Sequence, residues 1–265
     1  MAPRRNKRAD YLVTRFETYE GRDDCERANA ELLRMGAAAV PSLIAFIDDK
    51  RGGWNAAAIL CELGAPAAVP AIPRLLVHAK NPKSGSAMWS AKALGALGQM
   101  DALVELAKRK STRWYAVTGL ASARPASYAI YERLLDREDR ALAKMIADEL
   151  SPGSASWSPR SEHVDAIVGA SRSKHIALRK DAACALSYLR TGADRARSVA
   201  PLVALLADSS SEVRRLALMA LGDCRGHAKG ALPQIRACLK DRVAIVRANA
   251  KSAIAEIEKR RPGRP

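Results

Sequence analysis

Aromatic side chains are scarce in this chain: they make up 5% of 265 residues, and only two are Phe. Sandwiches and barrels fill their cores with β-branched and aromatic residues, so the deficit argues against both. Long apolar runs are missing as well. No stretch reaches the roughly 18 apolar residues that a membrane span needs, so no membrane partner is expected. The basic start, Met1-Ala2-Pro3-Arg4-Arg5-Asn6-Lys7-Arg8, has no apolar segment behind it, unlike a secretory leader. The five cysteines, Cys25, Cys61, Cys184, Cys224 and Cys238, form no CxxC pair. They read as free thiols on helical segments, in a reducing compartment such as the cytoplasm.

Catalytic signatures are also lacking. The four histidines, His78, His163, His175 and His227, include no HExxH and no His-Glu dipeptide, so no metal is expected. Arg51-Gly52-Gly53 is too short for a phosphate loop and lacks GK[ST]. No GxSxG elbow occurs. Asp23-Asp24, Asp48-Asp49 and Glu138-Asp139 are paired carboxylates at turns or helix starts, where acids favour the helix dipole. The expectation is a non-catalytic chain with no cofactor.

What the chain does have is positive charge, alanine and leucine, and a repeat. It carries 44 Lys+Arg against 28 Asp+Glu, a formal net charge of +16. Residues 1–50 are neutral, residues 51–150 carry +5 and residues 151–265 carry +11. Such asymmetry points to an acidic partner rather than to a fold. An Ala/Leu core suits closely packed helices.

The repeat fixes the class. Val213-Arg214-x-x-Ala217-x-x-Ala220-Leu221-Gly222 recurs 33 residues later as Val246-Arg247-x-x-Ala250-x-x-Ala253-Ile254. A third copy is Leu178-Arg179-x-x-Ala182-x-x-Ala185-Leu186. Weaker copies start at Arg140 and Arg113, and Arg27-x-x-Ala30-x-x-Leu33 is a degenerate first one. Trp54 to Gly64 and Trp89 to Gly98 fill the same slot without an arginine. A helical segment precedes most copies, with prolines at 41, 70, 201 and 233 placed for a first turn. Gly36, Gly64, Gly98 and Gly222 are placed to end second helices in a left-handed conformation. Self-similarity at this period means stacked supersecondary units.

This pattern resembles HEAT repeats, especially the short bacterial type related to the phycobilisome-lyase repeats, over residues 40–258. The resemblance implies an all-α, right-handed α-α superhelix of about seven helical hairpins, with second helices lining a concave face. It also implies structural Asp–Arg pairs, matched by Asp208 with Arg214 and Asp241 with Arg247, each at a spacing of six. Arg179 has Ser173 at that spacing and is expected to be freer to bind. The organisation expected is a disordered basic arm over 1–9, one solenoid over 10–258 with a Ser/Pro loop insertion at 151–159, and a basic tail over 259–265. The tail resembles an AT-hook, with Pro262 in place of the arginine before Gly263.

The residue after the motif arginine falls at the edge of the core-facing stripe. Trp114, Lys180 and Arg215 hold that position. With Trp54, Trp89, Arg113, Arg137, Lys174, Arg179 and Arg242 they are the candidate binding track, since cations interleaved with aromatics hold phosphates and stack on bases. The function expected is a scaffold that binds an acidic protein or nucleic acid, the protein ranking first because solenoids mostly contact proteins. Two enzyme readings stand as alternatives. One is a bilin lyase. The other is a DNA-base glycosylase using Trp114 and Arg113, with Asp148 or Asp181 as the acid.

Overall fold

The structure is a computed structural model that describes residues 6–16, 22–136, 139–150, 159–189 and 191–259. Every regular element among them is a helix. The chain falls into two compact units, Met1–Ser127 and Tyr128–Pro265. Arg137, most of the 151–159 loop and the tail beyond Lys259 lie outside the described residues.

The first unit opens with α1 (Lys7–Thr14) and α2 (Arg22–Met35). Helix α1 starts inside the stretch expected as an arm. Asn6 caps it, its side chain accepting from the amides of Arg8 and Ala9. Three helix pairs follow: α3 (Val40–Phe46) with α4 (Gly53–Leu63), α5 (Ile72–Ala79) with α6 (Ala87–Ala96), and α7 (Met100–Ala107) with α8 (Arg113–Ser122). The second unit holds four pairs: α9 (Tyr128–Leu135) with α10 (Arg140–Glu149), α11 (Val164–Ala170) with α12 (Ile176–Ser187), α13 (Gly192–Leu205) with α14 (Ser211–Cys224), and α15 (Leu232–Ala237) with α16 (Ala244–Glu258). The described pairs number seven, as the repeat predicts.

In each unit the second helices pack on one another, α4 on α6 on α8 and α12 on α14 on α16. The motif alanines and leucines form these seams. Ala182, Leu186, Ala217, Leu221 and Ala250 are fully buried. Small residues let the backbones approach. A Cβ on Gly95 would lie 2.0 Å from the Gly119 carbonyl oxygen, and one on Gly119 would lie 2.4 Å from that of Ala91.

Several local expectations shift. Gly36, Gly64 and Gly98 do take positive φ, but Gly222 does not. Helix α14 runs on to the buried Cys224, so the left-handed residue is Arg225, with φ 48°. Pro201 lies inside α13 rather than in its first turn, because Thr191 caps that helix and starts it at Gly192. The copies at Arg27 and Arg140 keep the helix but not the register. Both arginines are exposed, and the buried faces are Ala28 and Leu32, and Leu142, Ile146 and Leu150.

Candidate binding surface

The motif arginines of the second unit form a ladder of internal clasps. Each reaches back six residues to a turn carbonyl. Arg179 Nη1 donates to the Ser173 carbonyl at 2.9 Å, Arg214 Nη1 to that of Asp208 at 2.8 Å, and Arg247 Nη1 to that of Asp241 at 2.8 Å. Arg113 Nε in the first unit makes the same contact with the Ala107 carbonyl at 3.2 Å. The remaining donors of two of these guanidiniums grip a carboxylate of the next repeat. Arg179 Nε and Nη2 donate to Asp208 at 2.5 and 3.1 Å, and Arg214 Nε and Nη2 donate to Asp241 at 2.7 and 3.0 Å. Both are forked, charge-assisted pairs.

The expected pairing is therefore displaced by one repeat. Asp208 and Arg214 touch through the Asp208 backbone, and Asp241 and Arg247 through the Asp241 backbone. The Asp208 carboxylate also accepts from the Ser210 amide, and that of Asp241 from the Val243 amide, each at 2.8 Å. That turn aims the carboxylate at the preceding repeat. Burial works to raise the Asp208 carboxyl, but the Arg179 fork, the Ser210 amide and the charge of Arg214 hold it below the usual carboxylate range. The Arg214 fork does the same for Asp241 against a smaller opposing effect of burial.

These contacts withdraw much of the expected track. Arg179 is not free: its side chain is 13% exposed and committed to Asp208. Arg113 is buried and spent on a carbonyl. Arg215 pairs with Glu212 at 2.8 Å, one helical turn earlier. Lys174 pairs with Asp136 at 2.7 Å, and Nε2 of His175 meets the same oxygen at 2.8 Å. Lys180, half-buried, and Arg242, exposed, keep no ion-pair partner among the described residues.

The first unit is different. Trp54 and Trp114 are 42% and 50% exposed, each in the second position of its helix. Trp89, half-buried, stands in the first turn of α6 with Lys92 Nζ 4.6 Å from its ring centroid, a cation–π contact. Trp114 makes an edge contact with Tyr115, ring centroids 5.4 Å apart. Two hydrogen bonds tie the turns before these helices together. Ser86 Oγ donates to the Ile47 carbonyl at 3.1 Å, and Tyr115 Oη donates to the Pro82 carbonyl at 3.2 Å. The three tryptophans thus stand in the first turns of successive packed helices, α4, α6 and α8.

The turns before these helices are cationic. Lys50, Arg51, Lys80, Lys83, Arg109 and Lys110 are all exposed and have no ion-pair partner among the described residues. The acids nearby are engaged elsewhere. Asp48 bonds to Arg74 and, at 2.8 Å, to His78 Nε2. Burial works to raise the Asp48 carboxyl, but these two partners hold it below its ordinary range. Asp49 accepts from the Arg51 and Gly52 amides within its own turn. The binding track read from the sequence holds the three tryptophans but none of these six turn cations. A signal was present: residues 51–127 hold ten Lys+Arg and only three acids, Glu62, Asp101 and Glu105.

The catalytic alternatives find little to work with. Of the acids offered to the glycosylase reading, Asp148 pairs with Lys144 at 2.6 Å, and Asp181 is buried and accepts from Tyr128 Oη at 2.8 Å. Both belong to the second unit, while Trp114 and Arg113 belong to the first. Burial pushes the Cys61 and Cys224 thiols up to about 11, which leaves them protonated and poor nucleophiles near neutrality. Among the described residues no cluster of three potential metal ligands forms, and no helix is long and apolar enough to cross a membrane.

No protein family matches the chain, and no curated protein matches it. Solved structures do. One is an engineered protein, 17% identical, aligned over 95% of this chain and 79% of the other at a TM-score of 0.41. Another is a designed armadillo repeat protein in complex with the peptide (KR)4, 15% identical over 94% of this chain and 99% of the other, TM-score 0.38. A third is a computationally designed armadillo repeat protein for modular peptide recognition, 15% identical over 94% and 100%, TM-score 0.38. The chain's own helix pairs make it an all-α helical-repeat protein.

Proposed function

We propose that this HEAT-like protein is a non-catalytic scaffold that binds an acidic macromolecule through the cationic turns of its first unit. One observation carries the reading: six exposed cations on three adjoining turns have no carboxylate partner among the described residues. Unpaired like charges repel one another, and an approaching polyanion relieves that repulsion and releases counterions. In the second unit Arg179, Arg214 and Arg215 are held by acids of the same unit, so they are not part of this surface.

The test is retention on immobilised heparin across a salt gradient. Substituting Lys50, Arg51, Lys83 and Lys110 together by Ser should shift elution to clearly lower salt. Substituting Lys174 and Arg215 by Ser should shift it much less. Equal shifts would place the binding charge elsewhere and overturn the reading.

A further inference from the structure

We propose that the acidic macromolecule is a single-stranded nucleic acid, whose bases stack on Trp54 and Trp114 while its phosphates follow the turns. This rests on the polyanion reading above and sharpens it. An acidic protein would satisfy the cations but has no need of two half-exposed indoles beside them. A duplex would satisfy the cations too, but its bases are already stacked on one another. A single strand supplies both groups at once: a phosphate per nucleotide and an unstacked aromatic face per base.

The arrangement matches that chemistry in three ways. Trp54 follows Arg51 by three residues and Trp114 follows Lys110 by four, so each indole opens the helix that comes directly after a cationic turn. The helices that carry them pack on either side of α6, which sets the α4 and α8 axes two interhelical spacings apart, about 16–20 Å, a span of several nucleotides. A strand running across the helix starts therefore meets an indole, then the Lys92–Trp89 contact, then a second indole. Both exposed indoles also lie at matching positions of their helices, the second residue of α4 and of α8. A tryptophan needed only for packing would be buried, as Leu60 and Leu120 of the same helices are.

The experiment uses the full chain and three labelled probes: oligo-dT of about 15 nucleotides, a duplex of equal length, and polyglutamate. Binding is followed by anisotropy over a salt series and by quenching of tryptophan emission. Oligo-dT should bind more tightly than either other probe and quench the emission. If most of the six cations engage, the log–log salt slope should be about −3 to −4. Trp54→Ala with Trp114→Ala should weaken oligo-dT at least tenfold and leave polyglutamate within twofold, and Trp→Phe at both positions should restore most of the loss. Because both rings are exposed, thermal melting should report a folded double variant, and an unfolded one would leave the Phe pair to decide. Duplex or polyglutamate binding as tight as oligo-dT, with no effect of the Ala pair, would overturn the single-strand assignment while leaving the polyanion reading intact. No binding of any probe at low salt would remove both.

Discussion

The two units use the same helix pair and hold successive pairs together in different ways. In the second unit the repeats are locked by Arg179–Asp208 and Arg214–Asp241, so positive charge serves cohesion. In the first unit α4 and α6 have no arginine in the motif slot. Their cohesion comes from close backbone approach at Gly95 and Gly119 and from hydrogen bonds between turns. The cations there are left over. The difference teaches that one kind of helix pair can be clasped by ion pairs or by close backbone approach, so an arginine in the motif slot reports cohesion before it reports a binding surface.

Breaking the ladder should give the largest effect. Arg214→Ala leaves the Asp241 carboxylate without its fork, in a pair whose side chains are 7% and 11% exposed. A loss of about 3 kcal/mol is expected, read as a lower urea midpoint of the second unit's transition. Arg179→Ala strands Asp208, whose side chain is 6% exposed, so a loss of similar size, about 3 kcal/mol, is expected. Arg247 has no carboxylate partner among the described residues, so Arg247→Ala should cost only about 1 kcal/mol. If all three cost the same, the clasp is not what separates the units.

The counterpart in the first unit is Gly95→Ala. Its new Cβ would meet backbone, not a side chain that can swing away, and about 2 kcal/mol or more of stability should be lost. Differential scanning calorimetry of this variant beside Arg214→Ala should show two different transitions moving. A single shared shift would mean the units do not melt separately.

Acid provides a finer cut. Asp208 and Asp241 titrate below the ordinary carboxylate value in the folded chain, so in that interval the unfolded chain binds more protons. Their contribution is complete above about pH 4 and is lost as pH falls through the lowered values. Urea midpoints at neutral pH and near pH 3 should therefore diverge for the native chain, and Asp241→Asn should narrow that gap. An unchanged gap would mean that these carboxylates do not set the acid response.

The smallest effect on stability, and the largest on binding, should come from the turn cations. Changing Lys50, Arg51 and Lys110 to Ser should alter the melting temperature by no more than about a degree or two, as expected for exposed, unpaired groups. The same variant should release a bound polyanion at markedly lower salt. A large fall in the melting temperature would show that these side chains hold the fold together after all.

Much of the architecture is legible from residues alone. The 33-residue recurrence of the Arg214 and Arg247 motifs, the alanine and leucine spacing and the turn prolines require helix pairs stacked through small residues. The candidate surface is legible only in part. Trp54, Trp89 and Trp114 are visible as residues at helix starts, but exposure separates the outer two from Trp89, and exposure depends on which neighbours cover a ring.

The sequence by itself determined the helix, the pair and the buried stripe, because these follow from periodicity within a dozen or so residues and from the free energy of covering alanine and leucine. Tertiary structure alone decided which cations remain available. Asp208 and Arg214 look like partners at six residues apart, yet that reach suits the backbone carbonyl, and the carboxylate turns to Arg179, 29 residues away. An ion pair forms between groups that folding brings within about 4 Å, and no local spacing records which distant turn will arrive there.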